Sequence, residues 1–311
     1  MKKFIISDLD GDGVIYDSIM GYLENVSLVD DVELYINGDL MDRGYDGWRV
    51  LNDVIERING KGKVKINYLG GTHELMMYRA LNERKPGKWI NLWSDWMQNG
   101  GWVIEAELDA LEENAEEVCD FYKDFMGNLD VYKKFDEKIN GNNILLVHAS
   151  SPNEVLDKCQ LKIKDDTKEV EDIVYKREWI EGGIFFSTPI GENDLSKEGY
   201  FIIKGHTIVD DERGFIYNKD QNYLNIDGGI AKYFNGEFNY DHIPLVEVQD
   251  GKLNILVFNH NNQIVGGYNF DGEIKPMDDL ELEVNREFID HRYDNCREKQ
   301  KQLIKEINNF D

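Results

Sequence analysis

The N-terminal part of the chain repeats one pattern three times: a short apolar run, a polar loop and a helix-like stretch. The apolar runs lie at 4–6, 33–36 and 64–69, and amphipathic stretches at 16–25 and 46–59 follow the first two. Strands that alternate with helices pair in parallel, because each helix returns the chain to the same edge of the sheet. The sequence therefore predicts an α/β fold that begins with a parallel sheet.

Each of these apolar runs ends in a loop that carries acidic or histidine side chains. The loops are Asp8-Leu9-Asp10-Gly11, the segment 38–44 (Gly-Asp-Leu-Met-Asp-Arg-Gly) and Gly71-Thr72-His73-Glu74. Ligands of parallel α/β sheets bind beyond the carboxyl ends of the strands. Glycines let the backbone approach an ion or a phosphate closely. We therefore expect the three loops to form one site.

The pattern changes after the third repeat. Residues 88–136 have helical character and include four tryptophans, which predicts a helical cap over the site. Apolar runs bounded by Gly, Asn or Asp then predict strands of a second, antiparallel or mixed sheet, at 143–147, 199–204, 223–226, 245–248, 253–258 and 264–270. We expect one main domain at 1–275 and a charged, helical tail at 276–311.

Composition limits the partners and the compartment. The formal net charge of -26 repels nucleic-acid backbones, so nucleic acid is not the expected partner. The three cysteines are widely spaced and form no CxxC pair, which favours a reducing, cytoplasmic environment. No run approaches the roughly 20 apolar residues of a membrane span, so no membrane partner is expected. The sequence does not indicate an oligomeric state.

Histidine placement points to metal chemistry. Of the six histidines, three follow apolar runs at 64–69, 143–147 and 199–204: His73, His148 and His206. A single histidine in such a place is more often structural than a ligand, so only the joint placement of the three indicates a metal site. Carboxylate and imidazole groups together bind Mn, Fe or Zn at hydrolytic sites. The other three histidines have no such context and are predicted at the surface: His242, His260 and His291.

In chain order, these segments resemble the calcineurin-like metallophosphoesterases of the phosphoprotein-phosphatase type. That family's segments read DxHG, GDxxDRG, GNHE, a His after an apolar strand, and GHT. Residues 99–102 and 175–179 also resemble segments of the bacteriophage lambda phosphatase branch. The resemblance covers about 3–250 and implies the family's fold, a four-layer α/β/β/α sandwich with a helical cap insertion.

The resemblance also implies roles for the matching residues. The metal ligands would be Asp8, Asp10, Asp39, Thr72, His148 and His206, with Asp39 shared between two ions. The catalytic residues would be Arg43 and Arg177 on the phosphate, His73 as the leaving-group acid, and Asp42, which orients His73. Two divalent ions are implied, Mn²⁺ first and Fe, Zn or Mg as alternatives, with a bridging hydroxide that attacks phosphorus directly.

Two positions depart from the family pattern. The family's first-loop His is Asp10 here, and its metal-binding Asn is Thr72. A carboxylate favours harder cations such as Mn²⁺ or Mg²⁺, whereas a neutral hydroxyl competes weakly with water for a metal. The expected function is a phosphomonoesterase acting on phosphoserine, phosphothreonine or small phosphate esters. Two alternatives stay open: a pseudophosphatase that only binds, and a hydrolase of dinucleoside polyphosphates, nucleotides or polynucleotide ends.

The first loop also fits two other templates in part. An EF-hand loop requires a bidentate Glu at its twelfth position, where this chain has Ile19. In a haloacid dehalogenase-type phosphatase, Asp8 would be the nucleophile and Asp10 the acid. That family does not explain the segment 38–44 together with the three placed histidines, so it ranks second for the fold.

Overall fold

Two β-sheets and the helices around them form the part of the chain that the computed structural model describes. The described residues are 1–83, 91–110, 115–149, 160–175, 178–180, 184–186, 199–219, 222–234, 236, 242–270 and 273–277. All of them lie within one compact unit, Met1–Leu280.

The helices in these ranges begin and end as follows: Gly13–Val26 (α1), Gly47–Ile58 (α2), Thr72–Glu83 (α3), Asn91–Trp96 (α4), Trp102–Asp109 (α5), Ala115–Gly127 (α6), Lys168–Tyr175 (α7) and Ile230–Phe234 (α8). A π-helical turn, Met97–Gly101, joins α4 to α5, and a 3-10 turn spans Ile163–Asp165. The strands are Lys2–Ile6 (β1), Val32–Asn37 (β2), Lys65–Leu69 (β3), Tyr132–Ile139 (β4), Asn142–Val147 (β5), Glu178–Ile180 (β6), Ile184–Phe186 (β7), Tyr200–Lys204 (β8), Ile216–Asn218 (β9), Tyr223–Asn225 (β10), Ile243–Gln249 (β11), Lys252–Asn259 (β12), Gln263–Phe270 (β13) and Ile274–Pro276 (β14).

The first sheet has the strand order β14-β13-β12-β11-β1-β2-β3. Its β1, β2 and β3 pair in parallel, which confirms the prediction from the N-terminal repeats. The strands β11, β12 and β13 were expected in the second sheet, but they extend the first one through an antiparallel pair between β11 and β1. The reason is that β2 covers only one edge of β1, so the other edge is open to β11.

The second sheet has the strand order β4-β5-β8-β10-β9. Its three central strands are parallel and its two edge strands are antiparallel, so it is the mixed sheet that the sequence predicts. The strands β6 and β7 form a separate hairpin. Because β5 and β8 are parallel neighbours, the residues that follow them, His148 and His206, emerge at the same edge of the sheet.

A hydrophobic core joins the facing sides of the two sheets. It contains Ile5 and Tyr35 from the first sheet, and Leu146 and Ile203 from the second. The opposite faces belong to a second core, which includes side chains of α1, α2, α3 and α7. The chain therefore has the predicted α/β architecture, with two packed sheets and helices outside them.

The helical segment after α3 ends earlier than predicted. Helices occupy Asn91–Trp96, Trp102–Asp109 and Ala115–Gly127, but residues from Tyr132 onward form β4. The buried side chains of β4 are Tyr132, Phe135 and Ile139, whose spacing is helical because a bulge lies between Lys134 and Lys138. The bulge hides the alternation of a strand, and this explains the error at 132–136.

Part of the predicted domain organisation lies beyond the described ranges. The tail at 276–311 falls outside them except for 276 and 277, so the division at residue 275 stays a prediction. Among the helices that the structure does describe, none has the length and apolarity needed to span a membrane.

Candidate metal centre

The site forms where the three N-terminal loops meet the loops after β5 and β8. Positive φ angles occur at Asp8 (54°), Asp10 (46°), Asp39 (49°) and His206 (66°). Such backbone conformations cost energy for residues other than glycine and cluster at functional sites. The first two loops touch through Gly11, where an added Cβ would lie 2.6 Å from the carbonyl oxygen of Gly44.

Asp39 is the centre of the arrangement and is held from several sides. Its Oδ1 accepts a hydrogen bond from the backbone N–H of His73, at 2.9 Å. The fully buried Glu74 accepts from the backbone N–H groups of Asp39 (3.0 Å), Leu40 (3.1 Å) and Gly71 (2.7 Å). The second and third loops are therefore held in one rigid arrangement, which fixes the Asp39 carboxylate.

Among the described residues, three buried side chains form a group that fits a metal ion. One ligand atom each from Asp39, His148 and His206 lies within 4.8 Å of the other two. The Nδ1 of His148 donates to the carbonyl of Asn37 at 2.7 Å, which directs its Nε2 towards Asp39 Oδ1, 3.3 Å away. Within the described ranges that Nε2 is buried and makes this ion-pair contact without the geometry of a hydrogen bond. A cation would satisfy it, since metal-bound histidines usually donate their other nitrogen to a backbone carbonyl.

The charges in this group follow from burial and proximity. Burial lowers the pKa of His148, but the carboxylates of Asp39 and Asp8 outweigh it and raise the pKa to about 10. Burial also favours neutral Asp39, but the imidazoles of His148 and His73 hold its pKa well below the usual range. Without a metal, Asp39 and His148 therefore form an ion pair, and a metal ion would replace the proton on His148.

Thr72 lies beside His206, but its hydroxyl has another partner. The hydroxyl donates to the carbonyl of Val174 in the last turn of α7, where helix carbonyls lack partners within the helix. The Thr72 oxygen also lies 3.0 Å from Nδ1 of His206 and can accept from it. This places Thr72 next to the metal-ligand group, and its predicted role as a ligand stays a prediction.

Asp8 and Asp10 also have protein partners. Both oxygens of Asp8 accept from the backbone N–H of His206, at 3.0 and 3.1 Å. Asp10 forms an ion pair with Arg43, the residue predicted to bind phosphate. Burial and the nearby Asp227 raise the pKa of Asp8 well above its ordinary value, and burial raises that of Asp10 although Arg43 opposes it. The metal position that Asp8 and Asp10 would form with Asp39 is thus less assembled than the group of Asp39, His148 and His206.

The predicted acid and its orienting residue are in contact. The Nδ1 of His73 lies 2.7 Å from Oδ2 of Asp42, and both side chains are buried. Burial and Arg43 lower the pKa of His73, but Asp39 and Asp42 outweigh them, so its pKa is raised. The other ring nitrogen, Nε2, faces Asp39 Oδ2 at 3.9 Å. A protonated imidazole next to the metal-ligand group is suited to act as a general acid.

Two further charged residues are buried beside the predicted site, and the calcineurin-like resemblance gives them no role. Lys204 is buried at the end of β8, where burial lowers its pKa to about 8 although Asp227 and Asp8 oppose the change. Burial, and then the charge of Asp10, raise the pKa of Asp227 to about 7. A lysine at the end of an apolar strand, directly before Gly205-His206, is the sequence signal that marks this pair.

His260 was predicted at the surface, and this is wrong. Its side chain is only 9% exposed, stacks on Tyr233 with ring centroids 4.8 Å apart, and forms an ion pair with Asp12. Asp12 caps the N-terminus of α1, against which β12 packs, so the end of β12 reaches the first loop. Two other predicted positions, Arg177 and His291, lie outside the described residues.

Comparison with known proteins establishes the fold. No protein-family model matches the sequence, and no curated protein matches it. A protein serine/threonine phosphatase from Saccharomyces cerevisiae is similar in structure, with a TM-score of 0.51 and 13% identity over 83% of this chain and 80% of that chain. A cold-active protein-tyrosine phosphatase from a Shewanella species has a TM-score of 0.47 and 14% identity over 89% of this chain and 80% of that one.

At such low identity the likeness shows the fold alone, and the yeast phosphatase carries it. The chain shares the fold of that yeast phosphatase, a mixed α/β fold with two sheets, in agreement with the α/β fold that the sequence predicts. The resemblance to the bacteriophage lambda branch stays a prediction.

Proposed function

We propose that this protein is a metal-dependent phosphomonoesterase. One observation carries the proposal: Asp39 contacts the metal-ligand group with one carboxylate oxygen and faces the candidate acid with the other. Its Oδ1 lies 3.3 Å from Nε2 of His148, and its Oδ2 lies 3.9 Å from Nε2 of His73. A metal position and a proton donor thus lie on either side of one carboxylate, and in-line attack on a phosphate ester with protonation of the leaving group uses both.

Asp39, His148 and His206 would hold one divalent ion, with Thr72 next to them. Asp8 and Asp10 would hold a second ion together with Asp39, after Asp10 separates from Arg43. When bound, divalent ions lower the pKa of the attacking water and neutralise charge on the phosphate. Mn²⁺ is the proposed metal, because carboxylates contribute much of the ligand set.

The other site residues bind the phosphate and move a proton. Arg43 presents a planar guanidinium, and the surrounding carboxylates of Asp10, Asp39 and Asp42 raise its pKa against the effect of burial, so it remains charged. Arg177 is proposed as the second phosphate ligand on the resemblance alone. His73 would donate its Nε2 proton to the leaving alkoxide, while Asp42 holds the ring through Nδ1.

The proposed substrates are phosphoserine, phosphothreonine or small phosphate esters. The support for this choice is the sequence resemblance, with the intact segment 38–44. The net charge of -26 works against binding of long polyanions outside the site, which argues against nucleic-acid substrates. A cytoplasmic location is part of the same proposal.

A pseudophosphatase is the second candidate, and one observation favours it. Both residues that depart from the family pattern have protein partners: Asp10 forms an ion pair with Arg43, and the Thr72 hydroxyl donates to the carbonyl of Val174. A site in which these groups never reached a metal would bind a phosphorylated ligand without turnover.

The test is hydrolysis of p-nitrophenyl phosphate and of a phosphoserine peptide by metal-stripped protein resupplied with Mn²⁺, Mg²⁺, Zn²⁺ or Fe²⁺. Turnover should return with metal and should fall at least about 100-fold in Asp39→Asn, which loses the shared carboxylate. Asp53→Asn, at a half-buried position of α2 whose carboxylate contacts Tyr16, Arg57 and Lys61 and no site residue, is the matched control and should keep full activity at a temperature where the variant is folded. Metal binding by folded protein without turnover on monoesters would refute the enzyme and support the binding protein.

A further inference from the structure

Asp42, the partner of His73, receives two hydrogen bonds on the same oxygen. Its Oδ2 lies 2.7 Å from Nδ1 of His73 and accepts from the indole Nε1 of Trp96 at 2.8 Å. Its other oxygen, Oδ1, is buried and has no hydrogen-bond partner among the described residues. Asp42 itself is completely buried, so the indole and the imidazole together determine how this carboxylate is oriented.

Trp96 belongs to the helical insertion and not to the central sandwich. It ends α4 and is fully buried. Gly101 packs on its ring so closely that an added Cβ would lie 2.4 Å from Nε1. In the same insertion, the carbonyl of Gly100 accepts from the backbone N–H of Arg43 at 3.1 Å. The insertion is therefore bound to the loop 38–44 at two successive residues, Asp42 and Arg43.

The chemistry of the indole makes this contact more than packing. An indole N–H is a donor only, so it can bind the Asp42 carboxylate but cannot accept from His73. The indole holds in place Oδ2 of Asp42, the oxygen that accepts the hydrogen bond from Nδ1 of His73. It also withdraws some negative charge from that oxygen. A buried Trp N–H commonly finds an acceptor for structural reasons alone. A purely structural contact and a positioning role differ in their consequence: only in the second does removal of the indole N–H impair proton transfer from His73.

We infer that Trp96 is a positioning residue for the leaving-group acid: through Asp42 it holds His73 in the orientation from which Nε2 donates its proton. The inference rests on the proposed phosphomonoesterase activity and assigns part of that site to the insertion. The central sandwich then supplies His73 and Asp42, and the insertion supplies the indole N–H that orients them.

The dependence of kcat on the leaving group distinguishes a positioning role of Trp96 from a purely structural one. Hydrolysis of an alkyl phosphate such as phosphoserine needs a proton on the leaving oxygen, whereas p-nitrophenolate leaves without one. Trp96→Phe keeps a large aromatic ring and removes the donor. It should lower kcat on the phosphoserine peptide about tenfold, a fraction of the 10²–10⁴-fold that general acids supply. Its kcat on p-nitrophenyl phosphate should change less than about twofold.

Trp93→Phe is the matched control. Trp93 lies three residues earlier in the same helix, and its Nε1 contacts Glu105 at 3.3 Å and not Asp42. This variant should retain both rates. If Trp96→Phe slows both substrates equally, or slows neither, the positioning role is wrong.

A second measurement does not need activity. In the metal-free protein labelled with ¹⁵N, the indole resonance of Trp96 is the one lost in Trp96→Phe. It should move in Asp42→Asn, while that of Trp93 stays in place. An unmoved Trp96 resonance would refute the contact itself. Absence of turnover in the unmodified protein would instead refute the proposed function, and with it any part of Trp96 in catalysis, while the resonance still reports on the contact.

Discussion

Binding of a metal ion should expel a proton from His148. The ring donates through Nδ1 to the carbonyl of Asn37, so the only nitrogen left for a metal is Nε2. That nitrogen carries a proton in the metal-free protein, because Asp39 and Asp8 outweigh the effect of burial and raise the pKa of His148 to about 10. A metal ion and this proton therefore compete for the same lone pair.

The magnitude follows from the pKa. At pH 8, about two units lower, roughly 99% of His148 is protonated, so about one proton leaves for each ion bound there. The apparent metal affinity should rise about tenfold, or about 1.4 kcal/mol, for each pH unit up to about 10. The effect on the metal-free fold has the opposite sign. The pKa of His148 in the folded protein lies above its ordinary 6.5. The ion pair with Asp39 therefore stabilises the folded state fully below pH 6.5, and this stabilisation is lost as the pH rises through about 10.

Calorimetric titration of metal-stripped protein with Mn²⁺ checks this directly. Two buffers that differ in ionisation enthalpy give the number of protons released; at pH 8 Asp227, whose pKa burial raises to about 7, is mostly ionised, and the contribution of Lys204, whose pKa burial lowers to about 8, is removed by comparison with His148→Gln. In His148→Gln the release should fall by about one proton per ion. Release that does not depend on His148, or affinity that does not change between pH 7 and 9, would refute the assignment.

Three further changes test the surroundings of the site by urea unfolding. Asp10→Asn should destabilise the metal-free protein by about 2 kcal/mol, because Arg43 loses its ion pair while its side chain is only 26% exposed; equal stability would show that the pair contributes nothing. Asp53→Asn should lower the free energy of unfolding by about 1 kcal/mol at pH 7. Burial favours the neutral carboxyl, but hydrogen bonds from cationic and hydroxyl neighbours outweigh it and lower the Asp53 pKa to about 2. This contribution is present above about pH 4, and the difference in stability between the parent protein and the variant should vanish as the pH falls through 2. Gly11→Ala should destabilise by about 2–3 kcal/mol, because the new Cβ meets a backbone oxygen at 2.6 Å, whereas Gly60→Ala, with φ also positive but nothing within 4 Å, should cost about 1 kcal/mol; equal effects would contradict the steric argument.

Local pattern was enough to predict the three parallel strands of the first sheet. The strands β1, β2 and β3 are short apolar runs separated by helices, so their parallel pairing follows from the chain order alone. The sheet to which β11 belongs could not be predicted in this way. It depends on which edge of which sheet is open, and that is a property of the assembled fold.

The site shows the same division between local and distant information. The pair of His73 and Asp42 could be expected from motif resemblance, and the structure brings the two side chains into contact. The contact of Trp96 with Asp42 joins residues 54 positions apart, and no motif in the sequence announced it. The burial of His260 depends likewise on the packing of β12 against α1, which the sequence pattern does not reveal.

Under the proposed function, the ion pair of Asp10 with Arg43 would link metal loading to phosphate binding. The Asp10 carboxylate would either pair with Arg43 or serve as a metal ligand, and while it pairs with Nη1 of Arg43 that nitrogen is not free to bind a phosphate. If Asp10 turns to a divalent ion, the guanidinium is released at the place where a substrate phosphate must bind. A family member with histidine in this position has no such exchange, since a neutral imidazole does not compete for an arginine. In the proposed enzyme, Asp10 in the place of the family's histidine would therefore favour metal binding before phosphate binding, and a weak Asp10–Arg43 pair would favour the phosphatase over the binding protein.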